Sequence, residues 1–286
     1  MNIVKHYRED AALRKSFNEL AKATFGLNFE NWYQMGFWGD HYEPYSIVED
    51  GKVVANVSVN RTDMVIDGEK KHLYQLGTVM TAEGYRNRGY IRAIMDEVEK
   101  DIIDADGVYL FANDTVVEFY PKFGFVKGKE HVYTKTVVQN GECRMKQIPM
   151  DGPEGWKKLS AAMEKNTFPA GCRMVDNPGL IFFYVAQFMQ DCVYYDEELD
   201  AWAIAELEDG ELALHDVFAS ENVSLNEVIM SFGGEVKRVT MGFTPADTEG
   251  FQCREQQEAD STFFAKGEAF RDFAKKKLRI PSLSHA

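Results

Sequence analysis

Apolar and polar positions change period several times along the chain, and each change marks an element. Leu13, Phe17, Leu20, Ala21 and Thr24 line one side of Ala11–Phe25, the spacing of an amphipathic helix, and Gly26 stops it. Residues 28–33 suggest a second short helix. The period then shortens, and residues 45–50, 52–60 and 63–66 predict strands joined by turns at Asp50-Gly51 and Asp67-Gly68. A strand over residues 73–81 leads into Arg86-Asn87-Arg88-Gly89-Tyr90-Ile91 and a further helix. In that helix Ile91, Ile94, Met95, Val98 and Ile102 fall at i, i+3, i+4, i+7 and i+11, with Asp96, Glu97, Lys100 and Asp101 opposite. Residues 108–112 form an unbroken apolar run of buried-strand type. Asn113-Asp114-Thr115 offers a cap for a helix over 116–120, which Pro121 and Gly124 keep short, and residues 132–138 return as a strand. Together these predict an α/β sandwich around a mixed sheet.

Pro149 and Asp151-Gly152-Pro153 then interrupt the pattern, predicting a linker between a domain at 1–140 and another at 150–286. The second should hold helices at 154–165 and 180–189, strands at 192–195, 201–207 and 211–218, a helix at 224–232 and a strand at 236–243. That order echoes the first half, although no residue-level repeat is visible.

Composition narrows the class. With 45% hydrophobic and 27% charged residues, 20 Phe and 13 Tyr, the 286-residue chain reads as a soluble globular protein. The start Met1-Asn2-Ile3-Val4-Lys5-His6-Tyr7 lacks an export pattern and no apolar run approaches spanning length, so a cytoplasmic location without membrane contact is expected. Cys143, Cys172, Cys192 and Cys253 stand far apart, which suggests reduced thiols. Net charge is −14, and 14 Lys and Arg against 24 Asp and Glu after residue 145 concentrate it in the second half. Such a field disfavours nucleic acid and would attract cationic partners, or it simply keeps the chain soluble. Homo-oligomerisation is left open.

The strand, turn and helix start around residues 78–91 carry the first chemistry. Bare backbone amides at a helix N-terminus, flanked by Arg86 and Arg88, form a seat for phosphate; the alternative is an ordinary connection with solvated arginines. Gly84 and Gly89 have P-loop separation, but Tyr90 and Ile91 stand where Lys and Ser or Thr are needed. No Gly-x-Gly-x-x-Gly occurs.

Two blocks in the right order resemble the GNAT (GCN5-related) N-acetyltransferase family over roughly residues 1–138. Arg86-Asn87-Arg88-Gly89-Tyr90-Ile91 stands for the acyl-CoA loop. Asn113 with Phe119-Tyr120-Pro121-Lys122-Phe123-Gly124-Phe125 stands for the second block. The resemblance implies a mixed, mostly antiparallel sheet flanked by helices, with acetyl-CoA as co-substrate. Val79, Met80 and Thr81 would meet the pantetheine arm at a splay beside the strand, and Arg86 to Ile91 would hold the pyrophosphate. Ile91 replaces a small residue and must turn its side chain inward. Asn113 would touch CoA, or act only as a cap; Tyr120 would be the general acid that protonates the CoA thiolate.

The implied reaction transfers acetyl to a primary amine of a small molecule or peptide, and the alternative is a non-catalytic acyl-CoA sensor. The strand entering the loop offers no carboxylate at Gln75, Gly77 or Thr78; the alternatives are a water chain or a carboxylate such as Glu30, Asp40 or Glu43, and since those acids read as surface residues no base is assigned. Trp32, Tyr33, Phe37, Trp38, Tyr42 and Tyr45 either pack a core or, with acids, hold a cationic amine. The loop also resembles the Eis branch, which carries a second, degenerate GNAT-like domain and uses its C-terminal carboxylate; a fold-back of Ser284-His285-Ala286 is the matching expectation. The six histidines lack metal-site spacing, so no metal is expected.

Overall fold

The computed structural model describes residues 2–285. Its strands are β1 (Ile3–Val4), β2 (Tyr42–Glu49), β3 (Lys52–Arg61), β4 (Met64–Ile66), β5 (Glu69–Lys71), β6 (Leu73–Thr81), β7 (Gly107–Ala112), β8 (Val126–Lys127) and β9 (His131–Thr136). They continue with β10 (Lys146–Gln147), β11 (Ala170–Met174), β12 (Val193–Asp196), β13 (Ala201–Glu208), β14 (Glu211–Phe218), β15 (Arg238–Met241), β16 (Thr244–Pro245), β17 (Gln252–Glu255) and β18 (Thr262–Lys266). Six helices accompany them: α1 (Ala11–Phe25), α2 (Glu30–Gln34), α3 (Tyr90–Asp101), α4 (Pro153–Glu164), α5 (Pro178–Phe188) and α6 (Leu225–Ser231).

Local chemistry accounts for several of the helix ends. Asp10 caps α1 by accepting from the amides of Ala12 and Leu13, and Gly26 closes it at φ 74°. Ser224 and Glu227 form a reciprocal capping box on α6. The helix expected over 116–120 is absent. Two short 3₁₀ turns, Asp114–Val116 and Tyr120–Phe123, stand there instead, because Pro121 and Gly124 (φ 79°) leave no room for a continuous i→i+4 ladder.

Two seven-stranded, mostly antiparallel sheets result, ordered β1-β2-β3-β6-β7-β18-β8 and β10-β12-β13-β14-β15-β9-β17. Helix α3 packs its Ile94, Met95 and Val98 face onto the first sheet, while Val228 and Ile229 of α6 enter the core of the second. The sheets do not divide at residues 140–150. Strand β9, expected in the first sheet, pairs with β15 and β17 of the second. Strand β18, absent from the expected element order, pairs with β7 and β8 of the first. A third sheet, β16-β11-β4-β5, joins β4 of the first half to β11 of the second. The halves are therefore interlocked by hydrogen-bonded strands rather than tethered by a linker.

Candidate active site

Strands β6 and β7 run parallel only at Leu73–Gly107, Tyr74–Val108 and Gln75–Tyr109. Beyond Gln75 they separate, and β7 continues only with β18 on its other edge. A wedge opens between Leu76–Thr81 and Leu110–Ala112, exposing main-chain groups that a sheet would normally pair. The cause lies in β6. Pairing with β3 jumps from Asn56–Met80 to Ser58–Gly77, and Thr78 sits in this bulge at φ 47°, a conformation costly for a β-branched residue.

A buried polar chain holds the bulge from behind. Asn56 donates to the Thr78 carbonyl at 3.0 Å and to Ser58 Oγ at 2.9 Å, and accepts from Ser46 Oγ at 2.8 Å. Ser46 in turn meets the Tyr7 hydroxyl at 2.8 Å. Ser46, Asn56 and Ser58 are fully buried. From the front, the Tyr42 hydroxyl bonds Thr78 Oγ1 at 2.6 Å.

At the far end of β6 the chain turns through Arg86, Asn87, Arg88 and Gly89, all exposed, into α3. Asn87 (φ 61°) and Gly89 (φ 78°) adopt left-handed conformations, and Gly89 supplies no capping side chain. The amides of Tyr90, Ile91 and Arg92 precede the first helical acceptor bond, from Ala93 to the Gly89 carbonyl at 3.1 Å, so they remain available to an anion. Arg88 stacks on Tyr85 and donates to the Gly84 carbonyl at 2.8 Å, which stiffens the turn. Ile91 packs against the first core, and the Tyr90 hydroxyl bonds Glu49.

A cavity of about 200 Å³ lies in the wedge. Its floor is Leu76, Gly77, Thr78 and Val79, one wall is Phe111, Asn113, Val116 and Tyr120, and the other is Phe25, Leu27, Phe29, Trp32 and Tyr42. Leu180 and Phe183 of α5 close it from the second half. Tyr120 is buried between Phe125 and Phe264, the latter from β18. Burial pushes its phenol up to about 12, so it stays protonated at neutral pH. Asn113 caps the following turn, its carbonyl oxygen accepting from the Thr115 amide at 3.0 Å and hydroxyl at 2.7 Å, and it also faces the cavity.

The expected residues do not all converge. Val79, Asn113 and Tyr120 line the cavity, Met80 is buried, Thr81 ends the same strand, and the Arg86–Ile91 turn follows beyond that end. Trp32 and Tyr42 reach the cavity, whereas Tyr45 donates to Asp101 and Phe37 packs on Trp156 and Phe182. The three candidate bases are engaged elsewhere: Glu30 with Arg14 at 2.9 Å, Asp40 with Arg8 at 2.9 Å, Glu43 with His6 at 3.0 Å. The tail does fold inward, since Tyr109 donates to the Ser284 carbonyl at 2.9 Å and the His285 ring stacks on Phe111 at 3.7 Å. Ala286 lies outside the described residues.

The family model of the GNAT acetyltransferase domain matches residues 10–128, the stretch that builds the wedge, the turn and the Tyr120 wall. Residues 10–128 form a GNAT acetyltransferase domain. Solved structures extend the fold likeness through both halves. A conserved Enterococcus faecalis V583 protein described as a probable N-acyltransferase has a TM-score of 0.60 at 16% identity, over 95% of this chain and 74% of its own. A GCN5-related N-acetyltransferase from Kribbella flavida gives 0.57 at 18%, over 94% and 72%. Eis1 from Mycobacterium abscessus gives 0.56 at 12%, over 92% and 73%. No curated protein matches the chain.

Sequence reasoning missed α5 and β18 as contributors to this cavity. A signal for α5 existed: Pro178-Gly179-Leu180-Ile181-Phe182-Phe183-Tyr184-Val185 is apolar all round, the mark of a helix covered on every face.

Proposed function

We propose that the protein is an acetyl-CoA-dependent N-acetyltransferase that acetylates a primary amine of a small molecule or peptide within a ternary complex. The supporting observation is the continuous track from the open amides of α3, along the wedge edge of β6, to the cavity beside Tyr120. In this reading the pyrophosphate sits on Arg86, Asn87, Arg88, Gly89, Tyr90 and Ile91. The pantetheine arm pairs with Val79, Met80 and Thr81, and Asn113 contacts CoA. The α5 wall gives the second half, residues 150–286 in the main, a role as a GNAT-like scaffold that completes the acceptor chamber.

The amine lone pair attacks the thioester carbon, the C–S bond breaks, and the amide nitrogen releases one proton while the CoA sulfur takes one. A phenol near 12 lies above a thiol near roughly 8.5, so Tyr120 contributes chiefly a hydrogen bond to the departing thiolate. The proton lost by nitrogen completes the balance. Calorimetry with acetyl-CoA, ATP and NAD should show preference for acetyl-CoA, and thiol release with an amine panel should show turnover; a preference for ATP would sink the proposal.

One observation favours a non-catalytic acyl-CoA-binding protein instead: among the described residues, no carboxylate or histidine lines the cavity. That reading predicts acetyl-CoA binding with no thiol release for any amine.

A further inference from the structure

The polar groups on the cavity wall opposite Tyr120 are already spent. Trp32 Nε1 donates to the Gly179 carbonyl at 2.8 Å, and the Tyr42 hydroxyl is held by Thr78 Oγ1 at 2.6 Å. The remaining side chains of that wall, Phe29, Leu180 and Phe183 foremost, are hydrocarbon. At the mouth, Phe25 and Val116 are 48% and 40% exposed, so the apolar surface continues to solvent. No charged side chain lines the cavity among the described residues, although the chain as a whole carries −14.

A polyhydroxylated or polycationic molecule seated against this wall would lose its hydration with no free polar side chain there to replace it. Stacked and tilted rings, with Phe29 on Phe183 at 5.1 Å and Trp32 edge-on to Phe183 at 5.5 Å, suit a flat or flexible apolar body. An amine seated there is also favoured as the free base, because a low-dielectric wall without a counter-charge disfavours the ammonium. Only the free base has the lone pair that attack requires.

On the acetyltransferase reading above, we infer that the acceptor is a monoamine with an aromatic or aliphatic body, bound neutral, and not a polyamine, an aminoglycoside or a charged peptide. The expectation of a cationic acceptor held by aromatic rings and acids is thereby replaced.

The test uses the full chain with acetyl-CoA and follows thiol release with 2-phenylethylamine, hexylamine, spermidine and kanamycin. The apolar monoamines should exceed the other two at least tenfold in kcat/KM, with a pH profile that climbs with the free-base fraction of each amine. Phe183→Ala should raise KM for 2-phenylethylamine about tenfold with the Kd of acetyl-CoA unchanged. Because Phe183 is buried, Val116→Asp at the exposed rim supplies a second variant, expected to narrow the preference over spermidine severalfold without unfolding the chain.

Three outcomes overturn the inference. Better turnover of spermidine or kanamycin overturns it alone, as does a rate that climbs from acetyl- to octanoyl-CoA, which would assign the apolar space to the acyl chain. Failure of acetyl-CoA to bind in calorimetry overturns the acetyltransferase reading, and this one with it.

Discussion

Asn56 and Tyr120 bear on the proposed reaction from opposite sides of the wedge, one by shaping backbone and one by offering a hydrogen bond to the departing thiolate. Asn56 satisfies the Thr78 carbonyl inside a chain of buried polar groups, so Asn56→Ala strips three hydrogen bonds at once, removes the side-chain donor from the Thr78 carbonyl and leaves Ser46 held by Tyr7 alone. A loss of about 2–3 kcal/mol is expected in urea unfolding, since each unsatisfied buried group costs roughly 1–3 kcal/mol. The affinity for acetyl-CoA should fall severalfold as the bulge relaxes toward regular pairing. Tyr120→Phe removes only the hydroxyl, and the ring keeps its packing on Phe125 and Phe264. Turnover should drop roughly 10- to 100-fold, the worth of a hydrogen bond to a charged partner, while calorimetry finds the Kd of acetyl-CoA within about twofold. Equal rates would remove Tyr120 from the chemistry.

Helix α5 reaches across to the first half, and one glycine permits it. A Cβ on Gly179 would stand 2.6 Å from the Phe37 carbonyl oxygen, a backbone atom that cannot swing aside. Gly179→Ala should therefore shift α5 away from α2, weaken the bond from Trp32 and cost about 1–3 kcal/mol of stability, as overpacking does. Acceptor KM should rise while acetyl-CoA binding holds, because the turn before α3 is remote from α5. Amphipathic α1 and α3, the β2–β3 hairpin and the β13–β14 hairpin were legible in the sequence, because each is set by local periodicity and turn residues. The Arg86–Ile91 turn was legible for the same reason. The bulge at Thr78 was not: a left-handed β-branched residue is imposed by Asn56 and Tyr42, which stand 22 and 36 residues away. Nor were β18 and the destination of β9 legible, since strand pairing across about 100 to 150 residues leaves no mark on the pattern of either partner.

Interlocking also decides how the whole molecule responds to pH. Glu130 accepts the Ile280 amide at 2.7 Å, and burial raises its carboxyl from an ordinary 4.5 to about 7. The folded chain binds this proton more tightly than the unfolded chain, so the contribution of Glu130 to stability is fully present below about pH 4.5 and declines as pH rises to 7, by at most about 2–3 kcal/mol. Asp216, half-buried and likewise raised to about 7 by desolvation, adds the same trend. Glu130→Gln keeps a carbonyl acceptor for Ile280 but cannot ionise, so its gain over the parent should be larger at pH 8 than at pH 5 in urea titrations; equal gains would mean the carboxyl is not desolvated. Strand β18 carries a further consequence, in the order of events at the ribosome. With synthesis at roughly 5–20 residues per second, β7 waits on the order of ten seconds or longer for its partner, its edge unpaired and the ring of Tyr120 lacking Phe264. A nascent chain halted before residue 262 would present an open edge to its neighbours, and the wall around Tyr120 would be complete only once residues 262–266 have emerged.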